Sequence, residues 1–113
     1  MSDDPPDCQV VAFMPRPRDF EKRLHRLADD SRNIKWSQHA RDRMRERDIS
    51  IRVALHVLRS GVVSGPIIPG KVSGEWKAKV VLTVKGRREV GVVAIAVRDS
   101  YIIVKTVEWE DVK

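Results

Sequence analysis

The sequence predicts an α+β domain in which N-terminal helices pack on a C-terminal antiparallel β-meander. Apolar residues recur at helical spacing from Phe20 to Leu58, and from Glu75 onward the period changes to two. Between these regions Gly61, Gly65, Pro66, Pro69, Gly70 and Gly74 punctuate a turn-rich stretch. The chain has 113 residues and no visible internal repeat, enough for one core and too few for two. A single domain is therefore expected over residues 18–113.

Residues 1–17 read as a flexible tail: they hold four of the six prolines, together with Asp3, Asp4 and Asp7, and no sustained apolar period. Asp19 can then cap or charge-stabilise a helix start, with Phe20, Leu24, Leu27 and Ala28 forming one apolar stripe. "SRN" interrupts that helix before Ile34 and Trp36. Ser37 sits at the N-cap position of a second helix that runs to Arg47, and Asp48 falls where a left-handed residue ends a helix. Ser50 caps a third helix, Ile51 to Ser60, and Ile49 is placed to staple against Ala54.

Val62-Val63 and Ile67-Ile68 are expected to give only short edge pairing. Trp76, Ala78, Val80, Leu82 and Val84 then face one way along a strand, while Lys77, Lys79, Thr83 and Lys85 face the other with Val81. "KGRRE" supplies a turn. Val90 to Val97 is apolar on both faces, as a central strand is. After "RDS", the residues Tyr101, Ile103, Lys105, Val107 and Trp109 alternate with Ile102, Val104, Thr106 and Glu108.

Net charge is +6, with a pI near 9.9, which makes a polyanion, nucleic acid first, the partner to consider. The excess is local: Lys35 to Arg59 carries seven Lys or Arg against Asp42, Glu46 and Asp48. Cys8 is the only cysteine, which rules out an intrachain disulfide and a cysteine zinc site and fits a reducing cytoplasm. The uncharged run Val10–Met14 is too short for a membrane span and follows three aspartates, so neither a signal peptide nor a membrane partner is expected. His25 and His56 have no ligand spacing, and no glycine-rich loop is followed by Lys-Ser/Thr and a helix; no metal and no cofactor are expected.

The chemistry concentrates in "WSQHARDRMRER", Trp36 to Arg47. At about 100° per residue, His39, Arg43 and Glu46 share a narrow arc with Arg47 beside them, bordering the apolar stripe of Ala40 and Met44. Three readings stand. Glu46 pairing with Arg43, and Asp42 with Arg45, would make an ordinary solvated helix. The arginines could grip nucleic acid, with Arg41 and Arg45 adding phosphate contacts from the other side. Or His39 could exchange a proton with a reacting oxygen while Arg43 and Arg47 hold a phosphate, the two requirements of metal-free RNA cleavage. Lys77, Lys79 and Lys85 on one sheet face, joined by Lys105 if its strand registers suitably, could carry an RNA backbone to that stripe.

"WSQHARDRMRERDIS", then an amphipathic helix and a meander ending "YIIVKTVEWED", resembles the bacterial proteins catalogued as domain of unknown function 4258, over Ile34 to Asp111. The specific part is Ser37, His39-Ala40, Arg43-Met44 and Arg47, then Ile49-Ser50. Asp48 stands where a glycine is expected in that family. The family in turn looks like a relative of the RelE and BrnT toxins, small endoribonucleases of toxin–antitoxin pairs. That resemblance implies RNA cleavage without metal, with His39, Arg43 and Arg47 functional, Lys105 a further candidate, and Glu46 either a base or an ion-pair partner. It also implies an acidic antitoxin protein as a partner besides RNA, with self-association to be considered. The alternative is a non-catalytic basic module that binds nucleic acid or protein. The helix before Arg32 lies outside the resemblance.

Overall fold

The structure is a computed structural model and describes residues 15–84 and 88–110. Within them the order is α1 (Pro17–Ala28), β1 (Ile34–Trp36), α2 (Gln38–Arg47), α3 (Ile51–Ser60), β2 (Val62–Pro69), β3 (Glu75–Val84), β4 (Arg88–Val97) and β5 (Tyr101–Trp109). Three helices and a five-stranded sheet make the domain α+β, and the strand order is β1-β5-β4-β3-β2.

Helix α1 begins at Pro17, inside the stretch read as tail. Proline at the first helical turn loses only an N–H that has no partner there. Arg16 is the cap residue and offers no side-chain cap; Asp19 contributes as a first-turn acid and does not cap. The remainder of the expected tail, residues 1–14, lies outside the described residues. Phe20, Leu24, Leu27 and Ala28 are buried, as their spacing requires.

Ile34–Trp36 corrects the expected layout. These three residues form a strand between the first two helices, parallel to β5, with Ile34 opposite Ile102 and Trp36 opposite Val104. The sheet is therefore mixed and is not a pure antiparallel meander following the helices. Three residues are too few to display a period of two, and only the distant pairing with β5 makes them a strand. The Val62-to-Ile68 region is also more ordered than expected: β2 is an eight-residue edge strand whose register against β3 shifts between Ser64 and Ile68. Gly65 there has φ +82°, a left-handed value that favours glycine.

A second register shift matters more for the site. Ala94 pairs with Val104 but Val93 pairs with Thr106, so Lys105 is the extra residue of a β-bulge. The strict alternation expected through β5 breaks at this point, and Val104 and Val107 both face the core. The three helices cover one sheet face. Ile102, Val104, Val107, Val90, Val92, Ala94, Ala96 and Val80 are fully buried there, and no polar side chain is buried among the described residues. The other face stays open. It carries Lys77 and Lys79 from β3, Val93 and Ile95 from β4, and Ile103 and Thr106 from β5, neighbours by register.

Candidate functional site

Helix α2 is fixed at both ends to the last strand. Ser37 Oγ accepts from the Ala40 amide at 3.0 Å, as an N-cap does, and donates to the Lys105 carbonyl at 3.2 Å, while the Ser37 amide donates to the Val104 carbonyl at 3.1 Å. At the far end Trp109 Nε1 donates to the Arg47 carbonyl at 2.8 Å. The helix thus continues the line of β1 and lies along β5 from the bulge to Trp109. Asp48 ends it at φ +57°, the left-handed conformation for which a glycine was expected, and the Ile49 amide closes on the Met44 carbonyl at 2.9 Å.

Ala40 and Met44 anchor α2 in the core, which orients the rest. His39 is exposed and makes no side-chain hydrogen bond among the described residues. One turn on, Arg43 Nη1 meets Glu46 Oε1 at 2.6 Å, so Glu46 stands as an ion-pair partner. Arg47 opens on a cleft of about 330 Å³ shared with Glu108, Trp109 and Glu110. Its Nη1 is buried with no hydrogen-bond partner among the described residues, leaving a guanidinium donor uncommitted. On the other side of the helix Arg41 Nε donates to the Trp36 carbonyl at 3.4 Å and Arg45 lies 3.9 Å from Asp42; both arginines are exposed. Those two contacts are weak and leave both side chains to solvent.

The open sheet face settles how the strand lysines register. Lys105, two residues on from Ile103 and on the same face, shares a groove of about 410 Å³ with Lys77, with Ile95 and Ile103 also lining it and Lys71 and Glu75 contributed by the β2–β3 connection and the start of β3. Lys79 is placed differently from Lys77. Its ammonium lies 2.8 Å from Glu110 and 3.7 Å from Glu108, and the hydrogen bond to Glu110 raises its pKa above the ordinary lysine value. Gly91 makes that pair possible, because a Cβ there would collide with the Glu110 carboxylate. Lys79 is therefore largely neutralised, whereas Lys77 and Lys105 face the groove. Lys85 lies outside the described residues.

The structure brings Arg47 to the edge of the open face, with Arg43 and His39 on the same helical stripe, and brings Lys77 and Lys105 together on that face. Arg41 and Arg45 remain apart from them. Lys71, Glu108 and Glu110 were not singled out in the sequence. The one signal for the last two was Gly91 inside an apolar strand, a mark of close approach by another group. Chemically the border offers one uncommitted guanidinium donor at Arg47, in a cleft it shares with the Glu108 and Glu110 carboxylates, and presents the His39 imidazole to solvent a little over two turns away. Among the described residues no three His, Cys, Asp or Glu side chains gather as a metal ion would need. Nor is any described helix long and apolar enough to cross a membrane.

The family model described as "Domain of unknown function (DUF4258)" matches residues 36–109, from the last residue of β1 to the last of β5. The match therefore covers α2, α3 and the four longer strands, and omits α1. No curated protein matches the chain, and no solved structure does.

Proposed function

The chain belongs to the family described as domain of unknown function 4258, and from that premise we propose that it is a toxin-like, metal-independent endoribonuclease of a bacterial toxin–antitoxin type system, related in arrangement to the RelE and BrnT toxins. The observation that carries this reading is the seating of the His39, Arg43 and Arg47 stripe along β5, at the border of a lysine-bearing open face. RNA lies across Lys77 and Lys105, and its scissile phosphate reaches the α2 border. There the ribose 2′-oxygen attacks the adjacent phosphorus and the 5′-oxygen departs, leaving a 2′,3′-cyclic phosphate. His39 takes the 2′-hydroxyl proton or gives one to the departing 5′-oxygen, with solvent water completing the other transfer, while Arg47, and Arg43 once phosphate displaces Glu46, hold the non-bridging oxygens.

The test is cleavage of matched RNA and DNA in EDTA by wild type and His39→Ala. The expected result is that wild type cuts RNA only, leaving cyclic or 3′ phosphate ends, and that His39→Ala binds RNA but does not cut it. Equal cutting by both proteins would remove His39 from the chemistry.

A second reading is a non-catalytic RNA-binding module. It is favoured by one observation: among the described residues nothing orients His39, and Arg43 is already engaged by Glu46. Under this reading both proteins bind RNA with the same affinity and neither cuts it.

A further inference from the structure

Along its strands the open face of the sheet divides into two ends of opposite charge. At one end lie Lys71, Lys77 and Lys105, with Lys35 over the Tyr101 ring; Glu75 is there too and accepts from the Val72 amide. At the other end lie Glu89, Glu108 and Glu110, against Lys79 and, at the margin, Arg47. Between the ends Val81, Val93, Ile95 and Ile103 are half-buried aliphatic residues that no described segment covers. Ile68, opposite Lys77 on the β2 edge, continues this surface and is 42% exposed.

We propose that this face is the interface of a homodimer, closed by a second copy of the chain turned end for end, with Lys105 of each copy against Glu108 of the other. Three observations converge on a second copy as the occupant. The first is the order of charge. A two-fold axis lying between the two sheets and perpendicular to the strands puts the lysine end of each face on the carboxylate end of the other. Drawn through the row of Lys79, Val93 and Thr106, that axis brings Lys105, on one side of the row, against Glu108, on the other. The aliphatic residues then meet between two sheets, as in a two-layer sandwich.

The second observation is what occupies the centre. Residues on a two-fold axis meet their own copies, so an unpaired charge there would be repelled. Lys79 lies in the central row, and its charge is already met within its own chain, 2.8 Å from Glu110 and 3.7 Å from Glu108; Val93 and Thr106 carry none. The third is area. From β2 to β5, at about 4.8 Å between strands and about 3.3 Å per residue over about eight residues, the face measures roughly 19 by 26 Å. Two such faces together bury on the order of 1,000 Å², the lower bound of specific interfaces, so the dimer is weak and concentration-dependent. It covers Lys77 and Lys105 and so withholds them from any polyanion. The association itself does not depend on whether the protein binds or cleaves RNA.

Sedimentation velocity of the full chain, with no nucleic acid present, gives the test. Wild type is expected to pass from monomer to dimer between about 1 and 500 μM. Lys105→Glu and Glu108→Lys should each weaken association by about tenfold, with urea midpoints close to that of wild type showing both to be folded. Mixed together, the two variants should form a heterodimer tighter than either homodimer, because both of its contacts again join opposite charges. Lys105→Glu/Glu108→Lys in one chain, which keeps the wild-type net charge, should restore association. A chain that stays monomeric over the whole range would overturn the proposal, whether the face is then open or covered by another segment. So would wild-type dimerisation in both single variants, which would put the interface elsewhere, or no gain on mixing them.

Discussion

The two faces of the sheet are built from the same strands and differ in nearly everything else. On the helical side Val80, Val90, Val92, Ala94, Ile102 and Val104 are fully buried and purely apolar. On the open side their sequence neighbours are Lys79, Val93, Ile95, Ile103 and Lys105, a mixture of aliphatic and charged groups that is half-buried or exposed. Successive side chains point to opposite faces, so stability and charge chemistry are written on alternate residues of one chain segment. Substitutions should therefore divide into two classes: those that unfold the protein without altering its binding preference, and those that alter binding without unfolding it.

The largest effect is expected on the covered face. Phe20→Ala removes the largest fully buried side chain and should destabilise by about 3–5 kcal/mol, read as a lower urea midpoint with an unchanged slope. A loss below about 1 kcal/mol would mean that α1, which lies outside the family match, is an appendage and not part of the core. Next comes Gly61→Ala. A Cβ there would meet the Val57 and Val81 carbonyl oxygens at 2.6 and 2.7 Å and Val80 Cγ1 at 2.7 Å. Two of these are backbone atoms that cannot rotate away, so a loss of about 1–3 kcal/mol is expected.

Crossing to the open face, Gly91→Ala should expel the Glu110 carboxylate and release Lys79. Its stability cost should be small, about 1 kcal/mol or less, since the pair is partly solvated. Affinity for RNA should rise as Lys79 is freed. An unchanged affinity would place Lys79 outside the binding surface. Smallest of all is a pH effect. The Lys79 pKa is raised by Glu110, so its contribution to stability is fully present below the ordinary lysine pKa and is lost as pH rises through the higher folded value. Wild type should lose slightly more stability than Lys79→Met in that alkaline window, and equal losses would show the pair to be without effect.

The covered face was legible because burial imposes a period. Phe20, Leu24 and Leu27 announce α1, and Trp76 to Val84 announce β3, in each case through residues that must face the same way. Capping was legible for the same local reason: Ser37, Ser50 and the left-handed Asp48 act on atoms within four residues of themselves. What escaped depends on distant partners. β1 is a strand only because β5 lies beside it, and Val107 faces the core and Glu108 the open side only because a bulge at Lys105 shifts β5 by one residue. Glu110 holds Lys79 across 31 residues of sequence, and no local pattern foretells that. The histidine stripe was readable as a stripe, but its seating along β5 was not.

The central claim is that polyanions meet the open side of the molecule, and equal changes of charge on opposite sides test it most directly. Lys77→Glu/Lys105→Glu and Arg18→Glu/Arg52→Glu alter net charge identically, the second pair at exposed positions on α1 and α3. Affinity for single-stranded RNA should be measured against salt for both variants and wild type. If about four phosphate contacts form, wild type should give a log–log slope near −3, and the open-face variant should be shallower by about 1.4. The helical-side variant should keep the wild-type slope. Equal flattening in the two variants would mean that diffuse charge binds RNA and that the open face has no special part in it.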